Sequence, residues 1–179
     1  DMLDSDDILE KMYEAAFLPE MWVPLLNELA IGTKSGAGGI GIYWPVQKGI
    51  TTTFDISPGP DQWEQSPAET KHWLTLVRSG PYINRGFFQI DPFGGDWSEL
   101  PDIGKRLELH KARGFGVQTA AILELFNGEV VSLEFTRRTG DPRYEDDLIS
   151  GLNRIYPAFR QAVLFASRLQ FERARGGIE

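Results

Sequence analysis

Apolar residues recur at helical spacing from the start of the chain. Ile8, Met12, Ala15, Ala16 and Leu18 fall on one face of a 3.6-residue repeat, and after Pro19 the series Trp22, Leu25, Leu26, Leu29 continues it. Two helical pieces are predicted from about Ser5 to Ala30, with Asp4 and Ser5 as caps for the first and Pro19 opening the second. The run GTKSGAGG ends that pattern and the period changes. IGIYW and ITTTFDI read as strands joined through Pro45, Lys48 and Gly49, a predicted hairpin.

After the turn at Pro58, Gly59 and Pro60, Trp73, Leu74 and Val77 share one face of a helix predicted from about Pro67 to Arg78. Gly80 to Gly104 keeps neither period and is rich in Gly, Pro and aromatic residues, so it reads as a long irregular loop, a feature that in compact domains often carries function. KRLELHKARG is a short helix ended by Gly114. VQTAAILELF and VVSLEFTRR flank Asn127-Gly128, the strongest hairpin signal in the chain. YEDDLISGLNRIYPAFRQAVLFASRLQFERAR is a long terminal helix. On it Leu152, Ile155, Tyr156, Phe159, Val163 and Ala166 share a face assigned to the domain's own sheet, and Pro157 is expected at a kink or boundary. Leu164 and Phe171, one heptad apart, fall roughly opposite and are assigned to a dimer interface, with Met12 and Trp22 of the N-terminal helices adding to it. The order of elements predicts an α+β fold, an antiparallel sheet with helices on one face.

A chain of 179 residues buries one full core, so a single domain over 1–179 is expected, with N-terminal helices at 5–31, a sheet and aromatic loop region at 38–143, and a C-terminal helix at 144–175. Its 18 basic against 26 acidic side chains give a net charge of -8, which repels phosphate, so this segment is not expected to grip DNA. The absence of cysteine excludes disulfides, thiolate metal sites and a cysteine nucleophile. DMLDSDDILEKM lacks the basic and apolar regions of a signal peptide, and no apolar run reaches membrane-spanning length; a cytoplasmic location is predicted.

Candidate chemistry is sparse. Gly36, Gly38 and Gly41 spell G-x-G-x-x-G, but a dinucleotide fingerprint turns a strand into a helix and here the helix comes first, so a flexible connection is the better account. His72 and His110 lack metal-site spacing, no G-x-S-x-G elbow is present, and Glu145, Asp146 and Asp147 suit the start of a helix. No cofactor, no metal and no catalytic residue is predicted. The aromatics are more informative: Trp63, Trp73, Tyr82, Phe87, Phe88, Phe93 and Trp97 crowd together in the sequence. Apolar walls with a few polar tips suit a ligand pocket, for which Trp73, Tyr82, Phe88, Asp91 and Trp97 are the candidate residues; a core filled by its own rings has the same composition.

YEAAFLPEMWVPLLNELA, the Gly-rich link, RGFFQIDPF, GEVVSLEFTRR and LNRIYPAFRQAVLFASRL together resemble the N-terminal regulatory region of LuxR-type bacterial transcription regulators, from Tyr13 to about Leu169. The resemblance implies a PAS- or GAF-like sensor followed by a helix-turn-helix domain beginning shortly after Glu179; the element order alone also fits other small binding folds. Many LuxR-type sensors bind acyl-homoserine lactones through a tryptophan, a tyrosine four residues later and an aspartate nine further on. Tyr82 and Asp91 keep the second spacing, but Arg78 stands in the tryptophan position, so the lactone pattern is incomplete. The expected protein is a homodimeric, non-enzymatic sensor of a small apolar or amphipathic ligand, touching DNA only through the absent C-terminal domain. The alternatives are a dimerisation module with a filled core and, third, a small enzyme.

Overall fold

In the computed structural model, which describes residues 6–43, 50–55, 80–91, 108, 111–112, 114–125 and 128–176, the first apolar repeat forms helix α1 (Asp6–Phe17). It buries Ile8, Met12, Ala15 and Ala16, and Asp6 and Asp7 occupy its first turn, where the helix dipole favours negative charge. Pro19 opens a single 3-10 turn, Pro19–Met21, and α2 (Trp22–Gly32) follows, burying Trp22, Leu25, Leu26, Leu29 and Ala30. Lys34 takes a left-handed φ of 54°, and Ser35 donates its N–H to the Ala30 carbonyl at 2.8 Å, which reverses the chain toward the sheet.

Five strands, β1 (Ala37–Tyr43), β2 (Ile50–Asp55), β3 (Phe87–Ile90), β4 (Phe115–Glu124) and β5 (Val130–Arg138), form one antiparallel sheet in the order β2-β1-β5-β4-β3. Both predicted hairpins form. β1 pairs with β2 with an irregularity between Ile42 and Tyr43, and β4 pairs with β5 through a turn in which Gly128 has φ 83° and Leu125 N–H reaches the Glu129 carbonyl at 2.7 Å. Two differences follow from pairing overriding local preference. β1 begins at Ala37, so Gly38, paired with β5, and Gly41, paired with both β2 and β5, belong to a strand and not to a flexible link. β3 lies inside the stretch predicted as irregular loop. The predicted helix from Pro67 to Arg78 lies outside the described residues.

Helix α3 (Asp146–Gly176) runs unbroken through Pro157, whose ring faces solvent; the expected boundary is not there. Its buried face, Leu152, Ile155, Phe159, Ala162 and Val163, packs with α1 and α2 onto one side of the sheet. Trp22 meets Phe159 edge-on with centroids 6.1 Å apart, and Phe87 stacks on Phe135 at 6.4 Å. Met12 and Trp22 are therefore spent on this core and present no surface to a second subunit. Leu164 is half-buried against the same core instead of lying opposite it, while the Phe171 side chain lies outside what the structure describes.

Candidate functional site

Strand alternation divides the sheet into two faces. Ile40, Leu133, Phe135, Ala121 and Leu123 belong to the helix-side core, whereas Ala37, Ile90, Ala120, Ile122 and Val130 are buried but stand outside that cluster, on the second face. The register arranges this second face in rungs. Gly39, Glu134, Ala120 and Phe88 form one, Gly41, Ser132 and Ile122 the next, and Ala37, Thr136, Gln118 and Ile90 the third.

The rungs mix small, polar and aromatic positions. Ser132 donates its hydroxyl to Glu134 Oε1 at 2.9 Å, and Gln118 Nε2 donates to Thr136 Oγ1 at 3.1 Å. Ser132, Ala120 and Ile122 are fully buried, Gln118 and Thr136 nearly so, and Glu134 is half-buried. A carboxylate has about four acceptor positions, and Ser132 fills one of those on Glu134, so the pair can take a hydroxyl or N–H from a bound molecule. Toward the β3 edge the surface becomes aromatic: Tyr82 stacks on Phe88 with centroids 4.6 Å apart and planes 36° from parallel. The segment carrying Tyr82 is held against β4 by an Ile83–Ile122 bridge and by Asn84, whose N–H donates to the Ile122 carbonyl at 2.8 Å. A face graded from polar to aromatic suits an amphipathic molecule.

Of the residues predicted for the pocket, the structure brings Tyr82 and Phe88 together and places Asp91, half-buried, at the end of β3. Trp73 and Trp97 lie outside the described residues, as do Arg78, His72 and His110. Gln118, Ser132, Glu134 and Thr136 were not predicted. Their alternation reads as a solvent face; the signal against that reading is Ala120 and Ile122, apolar at the same parity.

The helix side of the sheet holds a second polar cluster. Arg137, only 2% exposed, donates to the carbonyls of Pro142 at 3.0 Å, Arg143 at 2.9 Å and Thr33 at 3.3 Å, and to the Glu145 carboxylate at 2.8 Å. Its guanidinium lies 4.3 Å from the Tyr144 ring centroid. The Arg137 hydrogen bond holds the Glu145 carboxyl below its ordinary range. Burial pushes the Tyr144 hydroxyl up to about 12, against the opposing hydrogen bond with Ser35 at 2.8 Å. Gln89 clasps the Tyr144 backbone twice, donating to its carbonyl at 2.8 Å and accepting from its N–H at 3.1 Å. The chain entering α3 is thereby tied to β5, α2 and β3.

Among the described residues no group of three or more His, Asp or Glu is placed to hold a metal ion, and no helix is long and apolar enough to cross a membrane. The architecture is an α+β sheet-and-helix fold of the PAS/GAF-like class. Solved structures that share it include the N-acylhomoserine lactone dependent LuxR family transcription factor CepR2 from Burkholderia cenocepacia, at TM-score 0.61 and 14% identity over 91% of this chain and 96% of that one. Escherichia coli SdiA is similar at TM-score 0.56 and 14% identity, over 90% of this chain and 67% of its own, and SdiA in complex with octanoyl-rac-glycerol at TM-score 0.59. A GAF domain/HD domain protein from Geobacter sulfurreducens matches at TM-score 0.55 and 15% identity over 91% of this chain and 98% of that one. No protein-family profile and no curated protein sequence matches the chain. At these identities the likeness establishes the fold, and at that level the motif resemblance to the sensor region of LuxR-type regulators holds.

Proposed function

We propose that this chain is the ligand-sensing domain of a LuxR-type transcription regulator, non-catalytic and homodimeric, whose α3 biases a C-terminal helix-turn-helix domain. The observation that carries the reading is the buried second face, where Glu134 and Ser132 stand directly beside Ala120 and Ile122 across the β4–β5 pair and the Tyr82–Phe88 contact closes the edge. The fold shared with CepR2 and SdiA over nine-tenths of the chain supports it. The ligand is a small amphipathic molecule with an aliphatic portion against Phe88 and Ile90 and a hydrogen-bond donor toward Glu134. Such a ligand shifts a regulator only by its differential affinity for two states. The chain's own charge of -8 leaves DNA to another domain.

Thermal unfolding with octanoyl-glycerol and with octanoyl-homoserine lactone tests this. A ligand at 100 times its Kd adds about 2.7 kcal/mol and raises the midpoint by a few degrees. Ser132→Leu should abolish that rise. The full burial of Ala120 and Ile122 favours a second reading, a filled core in a dimerisation module. No shift with either compound, and no small molecule released on denaturing the purified protein, would select it.

A further inference from the structure

Helices α1 and α3 lie side by side and leave aromatic rings in water. Phe17 and Phe165 pack on each other with centroids 4.7 Å apart, yet remain 52% and 42% exposed. Tyr13, one turn before Phe17, is 51% exposed. Helical periodicity extends each ring into a stripe. On α1, Glu10, Tyr13, Glu14 and Phe17 stand at i, i+3, i+4 and i+7, all exposed; on α3, Arg154, Gln161, Phe165 and Arg168 stand at i, i+7, i+11 and i+14, all exposed. One stripe carries two carboxylates and the other two guanidiniums, and they join where the phenylalanines touch. Among the described residues Glu10, Glu14 and Arg168 make no ion pair.

We propose that this face docks a second copy of the chain, in a two-fold arrangement that lays α1 of each protomer across α3 of the other. A two-fold contact must be self-complementary, because each patch has to accept what it presents. Two copies of charge -8 repel one another at random approach, and a patch of one sign would repel most. Here both signs occur on separate stripes that share an aromatic seam. A two-fold arrangement that sets the acidic stripe of each protomer on the basic stripe of the other also brings the two Phe17–Phe165 seams together. A different partner would need only one of the two charge complements; self-pairing uses both. The surface replaces the Leu164–Phe171 seam expected from sequence, since Leu164 already packs on its own core. The inference rests on the homodimeric reading proposed above and assigns its interface.

Charge reversal tests the geometry. Arg168→Glu and Glu14→Arg each turn two attractive contacts per dimer into repulsive ones, and sedimentation of the full chain should show self-association at least about tenfold weaker for either variant alone. An equimolar mixture should recover wild-type association as a heterodimer, because both contacts then pair opposite charges, and no interaction within one chain predicts that recovery. Both positions are exposed, so the circular dichroism spectra should match wild type. A wild-type dimer with unaffected variants, or weakened variants that do not recover on mixing, overturns this interface and leaves the homodimer standing on another surface. A monomeric wild type overturns both.

Discussion

Arg137 is a charge taken almost wholly out of water, and burial of that kind is tolerated only where hydrogen bonds replace the lost solvation. Three of its acceptors are backbone carbonyls at chain reversals, where no strand or helix partner satisfies them. Removing the guanidinium therefore orphans several groups together. Arg137→Met should lower unfolding free energy by about 3 kcal/mol or more, and Arg137→Lys by about 2, because one ammonium does not reproduce the fork. Glu145→Gln should cost about 1 kcal/mol or less, since that carboxylate is 54% exposed and screened. Urea titrations of the three variants measure the ordering. Tyr144 adds a pH signature. Its hydroxyl titrates near 12 in the folded chain and near 10.0 when unfolded, so the unfolded chain gives up its proton first and stability falls as pH rises from 10 toward 12. In Tyr144→Phe that part of the fall disappears. Tyr156, raised by burial, and Lys11, raised by its hydrogen bonds to Asp7 and Glu28, both contribute to what remains of the fall. At pH 7 the same substitution should cost about 1 kcal/mol for the lost Ser35 bond.

Among the elements, β3 depends most on its neighbours. It is four residues long and among the described residues pairs with β4 alone, so its outer edge needs a partner from elsewhere. α3 supplies it: Asn153 Oδ1 accepts from the Phe87 N–H at 2.7 Å, and Asn153 Nδ2 donates to the Phe87 carbonyl at 3.4 Å. Gly86 just before the strand has φ 88°, and a Cβ there would collide with Asn153 Oδ1, so this turn requires glycine on both counts. Asn153→Ala should destabilise the chain by about 1–2 kcal/mol and speed hydrogen exchange at the Phe87 amide while leaving β5 protected. On α3 itself, Pro157 is exposed in a continuous helix, so Pro157→Ala should raise stability by about 1–3 kcal/mol, read from the denaturation midpoint. The same elements mark how far sequence patterns reach. α1, α2, α3 and the Asn127-Gly128 hairpin carry long periods or a specific turn, and all were legible. FFQI was not, because it is too short to establish a period and its burial does not alternate. Of the candidate site, only the aromatic edge was readable from the sequence. Tyr82 and Phe88 announce themselves by residue type, whereas Ser132, Glu134, Gln118 and Thr136 acquire meaning only when the register places them on a covered face.

Across the whole molecule, the sheet separates the candidate site from α3. Glu134 and Ser132 belong to the second face, and α3 packs on the first. Under the proposed sensing function, a ligand on one side would reach the other through side chains of opposite parity on a common strand, and β3 offers the shortest route. Phe88 faces the site, while Phe87 and Gln89 on either side of it hold Asn153 and the Tyr144 backbone on α3 and its approach. β5 also spans both faces, but it is paired on both edges and has little freedom to move. A weakly held edge strand with clamps to the helix is the element most able to take two positions. Allosteric couplings commonly amount to about 1–3 kcal/mol, so two hydrogen-bond clamps are of the right size to carry one. Once a ligand is found, hydrogen exchange of the wild-type chain should show added protection at the start of α3 as well as on β4 and β5. In a Gln89→Ala, Asn153→Ala double variant, ligand affinity should stay within about tenfold, protection of β4 and β5 should persist, and the response of α3 should be lost. An unchanged α3 response in that variant would route the signal through Arg137 and β5 instead.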